Sequence, residues 1–205
     1  MKNILLYTLF FLSLVHFATA QRLSDSYWHD GKLVTQEGDT MRGKLKYDLE
    51  LEVVQMDLKV AIKTFSTRNI VSFIFMDART KNMREFVVLP FTKNANSDYR
   101  SPTMFELLTE GSKLTLLSRE RLVVQTAVNN NPYVMMPTTT YLQAQYDFFF
   151  LTRKGQIIQF RGNRNDLLEK LGDSNDRLKK FIKQNKLRTD RKYDMAKIID
   201  FYNTL

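Results

Sequence analysis

Between residues 28 and 160 the chain is cut into short runs of apolar, β-branched and aromatic residues, and as far as residue 89 too few residues separate them to hold a helical crossover. A parallel pair of strands needs a crossover of a dozen or more residues, so strands this close in sequence must pair antiparallel. The runs lie at 31–36, 40–47, 53–56, 60–65, 71–76 and 84–89, then at 113–117, 121–126, 141–152 and 157–160. Glu37-Gly38-Asp39 has the turn chemistry of a β-hairpin. Leu45 and Tyr47 alternate with Lys44, Lys46 and Asp48, giving one apolar and one solvated face. Gly43, inside the second run, marks a bulge or a close backbone approach. Pro90 lacks a ladder donor and is expected to stop its strand. Pro102 to Leu108, with Gly111 behind it, reads as one or two helical turns.

Past Gly162 the period changes. Asp166 is the expected N-cap of a first helix, with Glu169 three positions on and Gly172 at its end. A second helix is expected from near Ser174, with Leu178, Phe181 and Ile182 on one face and Gln184-Asn185-Lys186-Leu187 closing it. A third runs from about Tyr193, where Met195, Ile198, Ile199 and Tyr202 form an apolar stripe. The class is α+β: a mainly antiparallel β-rich body over 21–160, built as a sandwich or partly open barrel. About three C-terminal α-helices over 161–205 pack on it in one globular unit.

The first twenty residues read as a leader. Lys2 supplies a positive start, residues 4–15 are apolar apart from Thr8 and Ser13, and Ala18-Thr19-Ala20 offers a signal-peptidase site. The run is shorter than the ~20 residues that span a bilayer, so no integral span is expected after cleavage. The remaining chain of 185 residues keeps 30 basic and 22 acidic groups, a net charge of +8. At that size roughly 70% of the unfolded surface is buried on folding. The chain has no Cys, which excludes a disulfide framework, thiolate chemistry and a lipidated cysteine. The expected location is the periplasm or the exterior.

Two stretches carry a resemblance. Gly38-Asp39-Thr40-Met41-Arg42-Gly43-Lys44-Leu45-Lys46-Tyr47 resembles a hairpin pattern of uncharacterised exported proteins from Bacteroidota-type bacteria. The ending, from Phe181-Ile182-Lys183-Gln184-Asn185-Lys186-Leu187 to Ile198-Ile199-Asp200-Phe201-Tyr202-Asn203, is similar to the close of the same proteins. The resemblance implies an exported envelope protein and carries over no catalytic residue.

Catalytic signatures are missing from the sequence. Beyond the leader the one histidine is His29, expected as a surface or capping residue. No His-x-x-x-His, Asp-x-Asp-x-Asp-Gly or phosphate-cradling glycine motif occurs. Met135-Met136 is read as packing rather than a copper site. No catalytic, cofactor-binding or metal residue is therefore assigned, no cofactor is expected, and the chain reads as non-enzymatic. The acids that cluster early, Asp30, Glu37, Asp39, Asp48, Glu50 and Glu52, would be the material of a carboxylate-based hydrolase. Turn chemistry and a solvated connector at 48–52 account for them better.

Charge points to a partner surface. Eight basic residues fall within 177–192, and Arg177, Lys179, Lys180, Lys183, Lys186 and Arg188 are the expected contact residues. An anionic envelope component or an acidic protein would fit them, and export makes nucleic acid an unfit partner. The loop at 129–140 is a second candidate contact. The aromatic run at 141–152 places Tyr146, Phe148 and Phe150 on one face and Asp147, Phe149 and Leu151 on the other. It reads as a core strand, with an aromatic-lined cavity for a small ligand as the alternative.

Overall fold

The computed structural model describes residues 27–93, 98–127, 139–172 and 176–205. The expected leader, most of the 129–140 loop with its Met135-Met136 pair, and Ser174 lie outside the described residues. Among the described residues ten strands form one sheet: β1 (His29–Thr35), β2 (Thr40–Asp48), β3 (Val53–Asp57), β4 (Ile62–Ser66), β5 (Ile70–Met76), β6 (Met83–Phe91), β7 (Ser101–Thr109), β8 (Leu114–Ala127), β9 (Thr139–Thr152) and β10 (Ile157–Phe160). Their order is β10-β9-β8-β7-β6-β5-β1-β2-β3-β4, and every neighbouring pair is antiparallel. Helices α1 (Arg164–Lys170), α2 (Asp176–Gln184) and α3 (Lys192–Thr204) follow.

One end of this sheet rolls up. Strands β4 and β5 are four spacings apart in strand order, roughly 19 Å if the sheet were flat. They are nevertheless joined by a tight turn in which the Asn69 N–H donates to the Ser66 carbonyl at 2.9 Å. The rings of Tyr47 on β2 and Phe86 on β6, three spacings apart, have centroids only 5.0 Å apart. Strands β1 to β5 thus curl into a barrel that stays open, because no ladder joins β4 to β5. Leu33, Leu45, Val54, Met56, Ile70, Phe73, Phe75 and Phe86 fill it. The expected partly open barrel is present. Gly43 faces Gly31 across the β1–β2 pair, and a Cβ on Gly43 would lie 2.5 Å from the Asp57 carbonyl oxygen. Close backbone approach is therefore what this glycine serves.

The other end is closed by helices. Leu114, Leu116, Phe148, Phe150 and Phe160 bury one face of β8–β10 against Leu167, Leu178, Ile182, Met195, Ile198 and Ile199. Asn203 on α3 fastens this layer: its Oδ1 accepts from the N–H groups of Lys113 and Leu114, and its Nδ2 donates to the Leu114 carbonyl. A Cβ on Gly111 would collide with that side chain at 2.0 Å. No helix among the described residues is long and apolar enough to cross a membrane.

Several local expectations are corrected. Pro102 to Leu108 is strand, not helix: it is β7, running through seven paired positions with β6. Pro90 does not stop β6 but sits opposite Pro102. A pair without N–H donors is tolerated where both nitrogens point away from each other. Both point toward neighbours that have ended, since β5 reaches β6 only as far as Val87 and β8 reaches β7 only from Glu106. The runs at 113–117 and 121–126 are one strand, continuous through Arg119 and Glu120. The α1 N-cap is Asn163, with Asp166 at the third position of a capping box, three residues later than expected for that aspartate. His29 is fully buried rather than at the surface: its ring stacks on Phe75 at 4.5 Å and its Nδ1 accepts from the Ala78 N–H. The 48–52 connector is not simply solvated, because Asp48 and Leu49 are buried and Asp48 Oδ1 accepts from the N–H groups of Glu50 and Leu51.

Candidate functional site

Three places bring chemically active groups together. The first is the seam between barrel and helical layer. Arg84 on β6 donates from Nε and Nη2 to both oxygens of Glu106 on β7, at 2.9 and 2.8 Å. It also donates to Glu120 on β8 at 2.9 Å and to the Tyr47 hydroxyl at 2.7 Å. Lys192, at the start of α3, donates to Glu106 from the other side. Burial works against the charge on Arg84, but the Glu106 carboxylate beside it outweighs that and holds the guanidinium firmly protonated. Burial also lowers the Lys192 pKa, against the pull of Glu106. Tyr146 on β9, next to Lys192, is pushed up to about 12 by burial and by the Glu120 charge. Asp77 resists burial because the N–H groups of Thr80 and Arg79 and the Arg84 charge hold its carboxyl below the ordinary range.

This cluster satisfies itself. Removing one member of a buried, hydrogen-bonded ion group leaves an uncompensated charge and costs about 3–5 kcal/mol, so the arrangement locks β6, β7, β8 and α3 into one register. The two carboxylates that converge, Glu106 and Glu120, share the guanidinium. The cleft beside Glu120 and Tyr47 has a volume of about 10 Å3, room for no more than a water. Of the acids weighed from sequence, Glu50 lines this small cleft, Asp48 caps a turn, and Glu52 pairs with Lys93 and Arg119 at 2.7 and 2.9 Å. Glu106 had a readable signal, because Met104, Glu106 and Leu108 alternate on one face and the charge falls where an apolar residue belongs. Among the described residues no group of three His, Asp or Glu side chains is placed to hold a metal ion.

The second place is α2. Arg177, Lys180, Lys183 and Lys186 are exposed, Lys179 is half-buried, and Leu178 and Ile182 face the core. Lys183 and Lys186 stand at the helix C-terminus, where cations complement the dipole. Arg188 is bound to Asp190, whose carboxyl it holds below the usual range. The sequence thus located five of the six residues on or beside one helix and could not foresee the pairing of the sixth.

The third place is an arm. Strand β8 leaves β7 after Ser118, and β10 joins β9 only from Phe148 onward. Beyond those points β8 and β9 continue as a two-stranded ribbon through nine pairs, from Arg119↔Asp147 to Ala127↔Thr139. That is about 30 Å at strand rise. Both of its edges lack a strand partner among the described residues. Val124, Tyr141 and Leu142 are 66%, 52% and 57% exposed. A groove of about 550 Å3 separates the arm from the α2–α3 connection, lined by Val123, Gln143, Gln145, Tyr146, Arg191 and Tyr193 among others.

Compared with models of known protein families, with curated proteins and with solved structures, the chain matches none.

Proposed function

We propose that the chain is an exported, non-enzymatic binding module of the cell envelope that takes up an extended segment of a partner protein on the β8–β9 arm. The observation that carries this reading is the arm itself. A two-stranded ribbon is marginal in water on its own, and sheet edges are ordinarily blunted by charge, proline or a bulge. Residues 140–145 of β9 contain no charge, no proline and no glycine. An added strand would use the unpaired main-chain groups for affinity and the alternate side chains for selectivity. The net charge of +8 on the cleaved chain and the cations of α2 favour an acidic partner. The leader pattern at 1–20 supports export. Beside the arm the alternative of an aromatic-lined carrier is less well supported: Phe148 is buried beneath the helices, and that groove has Tyr146 and Tyr193 as its aromatic lining.

Immobilised mature chain offered envelope extract tests the reading. A captured protein should be lost when Val124→Lys and Leu142→Lys are combined, and should slow amide exchange at 140–145. Charge reversal at Lys179, Lys180 and Lys183 should weaken capture without abolishing it. Capture indifferent to the arm variant would overturn the proposal, and an amino terminus at Met1 on purified native protein would overturn the export part of it.

A further inference from the structure

The sheet face opposite the helical core, at the margin where it meets the end of α1, holds a second site of a different kind. Phe105, Leu117 and Phe149 are buried there although the helices lie on the opposite side. Phe91 and Phe105 meet the Phe149 ring edge-on, at centroid distances of 5.4 and 5.0 Å. Above this aromatic floor opens a cavity of about 590 Å3, whose polar lining is Lys93, Arg119, Asp147, Gln159, Arg161 and Lys170 with Thr92. That volume is in the range of small-molecule sites.

The charges do not cancel. Glu52 is shared by Lys93 and Arg119, and Asp147 is bound to Arg121 at 3.1 Å. Five cations therefore stand against two carboxylates. Arg161 and Lys170, both exposed, form no ion pair among the described residues. Two unpaired cations at the rim set the charge of a fitting ligand near two negative, which is that of a phosphate monoester rather than a carboxylate. Arginine's planar fork matches phosphate oxygens in pairs, and lysine adds a point charge. Gln159 sits in register beside Phe149 on the neighbouring strand, so an amide lies next to the ring. We infer that this cavity binds a phosphate monoester carrying a planar or apolar body, with Arg161 and Lys170 on the phosphate and the half-buried Phe91, seated on Phe149, against the body. The site is separate from the arm, and it stands or falls independently of the partner-binding reading.

Calorimetry on the mature chain with phenyl phosphate, inorganic phosphate and benzyl alcohol tests it. Phenyl phosphate should bind more tightly than either half of the molecule. Arg161→Gln combined with Lys170→Gln should weaken it at least about tenfold, as expected from loss of charge-assisted hydrogen bonds. Both positions are exposed, so the variant should keep its melting temperature. The charge-matched control, Lys180→Gln with Lys183→Gln on α2, should bind as the wild type does. Flotation with phosphatidic acid vesicles separates the sources. Retention that the double variant loses assigns the phosphate to a lipid headgroup, and binding of phenyl phosphate without retention assigns it to a soluble ester, and either result supports the site. No binding by the wild type, equal affinity in the double variant, or equal loss in the control pair would overturn it.

Discussion

Strands β8 and β9 are each 14 residues long and pair without interruption, yet their two halves live in different surroundings. At the root, Leu114, Leu116, Phe148 and Phe150 are buried under three helices. In the arm, Val124, Tyr141 and Leu142 are more than half exposed. The β8–β9 ladder runs unchanged through both, while the root is also paired with β7 and β10 and the arm is not. The ladder between the two strands is therefore not what distinguishes a part that folds the protein from one that extends from it; outer pairing and burial of the side chains are. The seam cluster of Arg84, Glu106, Glu120 and Lys192 lies where one half gives way to the other, and it fixes the direction in which the arm leaves the body.

The sharpest way to break this comparison is at the root. Phe150→Ala should cost about 3–5 kcal/mol, the range for deleting a buried ring and leaving a cavity, read by denaturant unfolding. A loss below about 1 kcal/mol would mean that the helices do not hold the root. Glu106→Gln comes next. It leaves Arg84 and Lys192 facing a neutral amide, and should cost about 3 kcal/mol, the low end for a broken buried ion group because one oxygen acceptor remains. Glu120→Gln should cost less, since that side chain is less buried and meets Arg84 through one oxygen where Glu106 uses two.

The seam also predicts an alkaline signature. Tyr146 is held up to about 12 against an ordinary value of 10.0. The unfolded chain releases that proton near pH 10 while the folded chain keeps it until about 12, so the folded state binds more protons in between and stability must fall as pH rises across that window. Tyr146→Phe cannot ionise in either state. The difference between the two unfolding curves should stay level below pH 10 and narrow in the variant's favour between 10 and 12. Curves that remain parallel through pH 12 would show that this hydroxyl is solvated.

Much of the frame was legible from residue spacing, because short connections permit only antiparallel neighbours and the apolar stripes of α2 and α3 have helical period. What escaped had physical causes. Pro102 and Gly111 imitate the two ends of a helix. Neither signal reports that Pro90 lies opposite Pro102, or that Gly111 makes room for Asn203, both long-range facts. Arg119 and Glu120 look like a break between strands because two adjacent charges seldom lie within one. Here each is matched by a partner far along the chain, Glu52 and Arg84. The run at 141–152 reads as a core strand, which holds for Phe148 to Phe150 and fails for the exposed Tyr141 and Leu142. That β9 outruns both neighbours follows only from where β7 and β10 end.

The smallest stability effect is expected in the arm, and it carries the most functional weight. Leu142 and Val124 face each other across the β8–β9 pair and are largely solvated, so Leu142→Thr with Val124→Thr should change stability by no more than about 0.5 kcal/mol. Threonine keeps the β-branched shape that suits a strand, and the ribbon should persist by circular dichroism. Partner capture should nonetheless drop, because the apolar contact that an added strand would bury is gone. A root-like loss of several kcal/mol would show that these side chains are packed in solution and that the arm is an extension of the core. A change in neither stability nor capture would leave the two halves distinguished by outer pairing and burial alone, and would move the search for the partner surface to the α2 cations.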